Sequence, residues 1–84
     1  MYKTLGKIKE VEFNLIDKKV ITTYDDETKI TDNRLYKGGL HSFCKHCDQI
    51  EDELKKSKYP IKIIEKDEGF SGYREIVKTV GEQQ

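Results

Sequence analysis

Alternating apolar residues near the start of the chain constrain its fold more than any other feature. Val11, Phe13 and Leu15 are separated by single polar residues, which is the pattern of a strand with one buried face. A polar turn at 17–19 then leads into a β-branched run at 20–24. The sequence therefore predicts an N-terminal β-hairpin.

The acidic turn Asp25-Asp26-Glu27 precedes a shorter strand candidate at Lys29-Ile30-Thr31, which extends the hairpin into an antiparallel meander. We interpret the acidic triplet as a solvated turn, because the sequence nearby offers no second set of the oxygen ligands that Ca²⁺ or Mg²⁺ needs. Leu35-Tyr36 fits a further short strand, and the glycine pair Gly38-Gly39 after it marks a loop.

The middle of the chain carries the pattern of an amphipathic helix. Its apolar residues recur at steps of four, three and four, which places them on one helical face. This apolar stripe consists of Phe43, Cys47, Ile50 and Leu54. We expect the helix to run from about Ser42, a good N-cap, to about Ser57, because Tyr59-Pro60 ends it.

A β-branched run at 61–64 follows Pro60 and predicts a strand that packs against this helix. The segment 73–81 fits two structures. Its apolar residues have helical spacing and Gly81 is a suitable stop, but its β-branched residues also suit a strand paired with 61–66. We therefore expect an α+β fold with an N-terminal antiparallel β-meander, a central helix, a further strand and a terminal helix or strand, of which we favour the helix.

The composition indicates one small domain that spans residues 1–84. Only 35% of the residues are apolar and 38% are charged, so the core must be modest. Sixteen basic residues balance sixteen acidic ones and no recognition motif is present, so we expect no nucleic-acid binding. No apolar run is long enough to span a bilayer. Two cysteines are too few for a disulfide-stapled secreted scaffold, and residues 1–9 lack a signal region, which predicts a cytoplasmic protein.

The segment Cys44-Lys45-His46-Cys47 contains both cysteines and suggests thiol chemistry as one function. Cys47 belongs to the apolar stripe and should point inward, where a reduced cysteine also serves as a small core residue. Cys44 should lie in the first helical turn, where the helix dipole, Lys45 and His46 favour its thiolate. An exposed first cysteine beside a buried second one is the arrangement that thiol–disulfide exchange requires.

This two-cysteine motif, the helix after it, the strand at 61–65 and a second helix that ends near Gly81 resemble the first half of a glutaredoxin or thioredoxin-like domain. The resemblance implies a thiol–disulfide oxidoreductase in which Cys44 attacks and Cys47 resolves the mixed disulfide. The family's cis-proline has no counterpart here, since the only proline is Pro60.

Zinc binding is a further alternative, because the spacing of Cys44 and Cys47 matches half of a zinc site. His46 would point in a different direction from Cys47 on a regular helix, so His41, Cys44 and Cys47 are the better ligand set. A fourth ligand would then come from water or from a second subunit, which leaves a homo-oligomer open.

No complete set of catalytic side chains is visible, and we interpret the chain as a non-enzymatic protein-binding domain that needs no cofactor. Small regulators and inhibitors of this kind are common among phage and accessory genes. Five tyrosines and three phenylalanines offer anchors for a protein partner. Tyrosine suits that role because it combines a large contact area with a polar end. The candidates are Tyr2, Tyr24, Tyr36, Tyr59 and Tyr73.

Overall fold

A computed structural model describes residues 7–32 and 39–81 of the chain. Its elements are β1 (Ile8–Asn14), β2 (Lys19–Tyr24), β3 (Lys29–Asp32), α1 (Gly39–Leu54), β4 (Ile61–Gly69) and β5 (Gly72–Val80). The five strands form one mixed sheet in the order β3-β2-β1-β4-β5. The α+β fold and the antiparallel N-terminal meander are therefore confirmed.

The parallel pair of β1 and β4 forms the centre of the sheet, and the other neighbouring strands are antiparallel. Val11 lies opposite Ile63 in this pair, and both side chains are almost wholly buried. Phe43 from α1 belongs to the same core cluster, so the helix covers this face of the sheet. Among the described residues, the buried apolar cluster comprises Val11, Phe13, Val20, Phe43, Cys47, Leu54, Ile61, Ile63 and Val80.

The predicted apolar stripe of the helix is confirmed, because three of its members are buried and Ile50 packs against the same core. The helix itself begins at Gly39 rather than Ser42 and ends at Leu54 rather than Ser57. The Ser57 hydroxyl explains the earlier end, since it donates to the carbonyl oxygen of Tyr59 at 2.7 Å and accepts from the Tyr59 N–H at 3.1 Å. These bonds form a local turn that competes with another helical turn.

The segment 72–80 is a strand, so the preference for a terminal helix was wrong and the strand alternative is confirmed. Phe70 and Ser71 form a two-residue turn, and β5 pairs with β4 from Gly72 to Val80. This pairing places Val80 opposite Ile61, inside the core, which a free-standing helix would not achieve. This strand occupies the part of the chain where the glutaredoxin resemblance implies a second helix.

The predicted strand Leu35-Tyr36 lies outside the described residues, as do Gly38 and two of the interface candidates, Tyr2 and Tyr36. Within the described ranges, no helix is long and apolar enough to cross a membrane.

Candidate functional site

Cys47 is buried, as the stripe predicts, whereas Cys44, which was expected to be exposed, is half-buried; both are free thiols. They line a small cleft of about 50 Å³ between α1 and the sheet. Its other lining residues come from α1, from β4 and from β1 together with the residue that follows it, and three of them are carboxylates. They are Phe13, Leu15, Asp48, Glu51 and Glu65.

The environment of this cleft disfavours thiolates. Burial raises the pKa of the Cys44 thiol, and the negative charges of Asp48 and Glu65 raise it further. Burial is also the main cause that raises the pKa of Cys47 to about 12. The prediction that the helix N-terminus lowers the Cys44 pKa was wrong, because the helix begins at Gly39 and Cys44 therefore lies in its second turn.

The histidines do not join the cysteines in the cleft. His41 is exposed and His46 is half-buried, and neither lines the cleft. Across residues 7–32 and 39–81, no three His, Cys, Asp or Glu side chains are grouped so that they could hold a metal ion. The predicted zinc set of His41, Cys44 and Cys47 is thus not assembled among the described side chains.

A second candidate site lies at the far end of the β4–β5 hairpin. β1 pairs with β4 as far as Asn14 opposite Lys66, but β4 and β5 continue to pair for three more residues on each strand. We call this projecting segment, Asp67–Arg74, the hairpin arm. Arg74 Nη2 lies 3.0 Å from Asp67 Oδ2, and this cross-strand ion pair braces the base of the arm.

The hairpin arm and β5 expose large apolar side chains. Phe70, at the tip, is fully exposed at 114% of its reference area. Tyr73, Ile76 and Val77 are each about half exposed along the outer strand. Tyr73 and Val77 lie on one face of β5 and Ile76 on the other, because side chains alternate along a strand. The wholly exposed ring of Phe70 is therefore the main candidate for a contact surface.

The arm contains one of the tyrosines predicted as interface anchors, Tyr73. Tyr24 and Tyr59 are half-buried instead, and the Tyr59 hydroxyl accepts a hydrogen bond from the Ile8 N–H at 3.2 Å. Sequence reasoning missed Phe70, although its signal was present. Gly69 and Gly72 are typical of a short turn, and a large apolar residue such as Phe70 in that turn has no core to enter.

Comparison of the chain with known protein families, curated proteins and solved structures finds no match, so the site must be interpreted from its own geometry.

Proposed function

We propose that this domain is a non-enzymatic protein-binding domain of the regulatory or inhibitor type, and that it engages its partner through the tip of the hairpin arm. The observation that supports this function best is the complete exposure of Phe70. An aromatic side chain held in solvent gains about 1.5–3 kcal/mol when it enters an apolar pocket. Aromatic anchors of this kind dominate the energetics of many protein interfaces.

The arm presents Phe70 in a defined position. The turn is only two residues long, the strands beside it are paired up to Gly69 and Gly72, and the Asp67–Arg74 ion pair lies directly behind it. A side chain on such a short turn loses little backbone freedom on binding, which favours affinity.

The thiol alternatives receive less support. Glutaredoxin-like exchange through Cys44 and Cys47 needs a reactive thiolate, and the pKa of each thiol is raised. Zinc binding would need ligands beyond those that the described side chains bring together.

The test is site-specific photo-crosslinking from Ser71, which is exposed beside Phe70. A photoreactive residue replaces Ser71 in two versions of the full chain, one that retains Phe70 and one that carries Phe70→Ser. Each version is irradiated in cells of the organism from which the chain comes. Ile30→Ser is the matched control, because Ile30 is also an exposed apolar residue but lies on β3, at the opposite edge of the sheet.

We expect one protein to be crosslinked by the parent chain and by the Ile30→Ser control but not by Phe70→Ser. With that protein purified, Phe70→Ser should weaken binding by about 2 kcal/mol or more, which is the loss typical of a central anchor. A partner that binds Phe70→Ser with unchanged affinity would refute the proposed surface.

A further inference from the structure

β5 forms an edge of the sheet, and in the part of the chain that the structure describes β4 is its only strand neighbour. Because Gly69 and Gly72 close a two-residue turn, they form a hydrogen-bonded pair, and the pair type alternates from there along the strand. Tyr73, Glu75 and Val77 therefore direct their backbone N–H and C=O groups away from β4. An edge of nine residues with this geometry is a template for a further strand.

Natural edge strands often use charged side chains to prevent such pairing. β5 has two basic residues, but both turn back towards their own domain. Arg74 Nη2 lies 3.0 Å from Asp67 Oδ2 on β4, and Lys78 Nζ lies 3.0 Å from Glu51 Oε1 on α1. The exposed side chains of this edge therefore include the apolar Ile76 and Val77 as well as the acidic Glu75.

The charges of β5 also indicate what kind of strand fits. If the β5 strands of two copies of the chain pair antiparallel across a two-fold axis, the residue at the axis lies opposite the same residue of the other copy. An axis at Arg74, Glu75 or Lys78 would place like charges directly opposite each other, which destabilises a strand pair. An axis at Ile76 would place Arg74 opposite Lys78, with the same result.

An axis at Val77 avoids every such clash. Val77 then faces Val77, and Ile76 lies opposite the aliphatic stem of Lys78. On the same face as Val77, Glu75 lies opposite Thr79. No like charges therefore lie opposite each other in this register.

We propose that two copies of this chain associate through β5, antiparallel and centred on Val77, and so join their sheets into one. The paired segment runs from Arg74 to Val80 and does not include Phe70. This interface is consequently separate from the proposed partner surface at the tip of the hairpin arm. An experiment can therefore refute either proposal and leave the other standing.

Cysteine crosslinking tests the register in the full-length protein. Val77→Cys should form a disulfide-linked dimer on mild oxidation, because residues that face each other in a strand pair have Cα atoms within disulfide range. Glu75→Cys and Thr79→Cys should stay unlinked when oxidised separately but should form a 75–79 disulfide when mixed. Peptide mapping distinguishes these links from any that involve Cys44 or Cys47.

Proline substitution tests the interface itself. Val77→Pro removes an N–H that points away from β4, so it should keep the β4–β5 pairing and leave the fold intact by circular dichroism. Analytical ultracentrifugation under reducing conditions should show a dimer for the wild type and for Val77→Thr, and a monomer for Val77→Pro. A wild type that is monomeric at all concentrations, or a dimer that Val77→Pro does not weaken, would overturn the proposal. A dimer in which Glu75→Cys links to its own copy would overturn the register.

Discussion

The carbonyl oxygen of Tyr59 lies beside the α-carbon of Gly81, only 2.5 Å from the position that a Cβ would occupy there. Gly81 also has φ 93, a backbone conformation that other residues rarely adopt. The end of β5 is thereby fitted closely against the segment that leaves α1.

Gly81→Ala should therefore destabilise the domain more than Gly72→Ala. Gly72 shares the positive φ, at 105, but has open space where a Cβ would be added. The strained φ alone costs about 1–3 kcal/mol, and Gly81→Ala adds a clash with a backbone atom that cannot easily move. Urea denaturation of the two variants measures the difference. Equal losses would show that the Tyr59 segment shifts freely to accept a methyl group.

Leu54→Ala should lower the free energy of unfolding by about 2–5 kcal/mol, because it truncates a buried leucine in the apolar stripe. Leu40→Ala is the control on the same helix, since Leu40 is half exposed and lies outside the core cluster. Thermal melting of both variants checks the prediction. An unchanged melting midpoint for Leu54→Ala would mean that this face of α1 does not form the core.

Both thiols should react slowly with an alkylating agent, and their rates should differ. Both pKa values are raised, so at pH 8 each thiol remains protonated and reacts more slowly than it does in the urea-unfolded protein. Cys44 should react before Cys47, because Cys47 is more deeply buried and has a pKa of about 12. Labelling rates across a pH series, resolved by peptide mapping, provide the measurement. Fast labelling of Cys44 at neutral pH would instead support the redox alternative.

Serine substitution should separate the structural contributions of the two thiols. Cys47→Ser places a hydroxyl among apolar side chains and should cost about 1–3 kcal/mol of stability. Cys44→Ser, at the edge of the helix, should change stability by no more than about 0.5 kcal/mol. Chemical denaturation tests this order. The protein-binding proposal also requires that Cys44→Ser retain affinity for the partner identified by crosslinking.

The local parts of the fold were predictable because their signals are local. Val11 and Phe13 alternate with polar neighbours, the stripe on α1 has helical spacing, and each pattern is produced by burial of one face. Residues 72–80 were ambiguous, since β-branched residues at helical spacing satisfy both patterns. The choice was decided by pairing with β4, which is a tertiary contact.

The candidate sites were predictable only in part. The stripe correctly placed Cys47 inside, but Cys44, which was expected to be exposed in the first turn, is half-buried in the second. The pKa of Cys44 could not be inferred, because Glu65 reaches the cleft from β4, which follows α1 in the chain and lies beside it only after folding. The glycines beside Phe70 indicated a turn, but how far that turn projects depends on how far β4 and β5 extend beyond β1.

The parallel pairing of β1 with β4 also affects how the protein is made. β1, β2 and β3 leave the ribosome first, and they can pair with one another at once because they are close in sequence. The apolar side of Val11 and Phe13, however, has no cover until α1 and β4 have also been synthesised. The meander of β1, β2 and β3 therefore exposes an apolar face until α1 and β4 pack against it, and only then is the core closed.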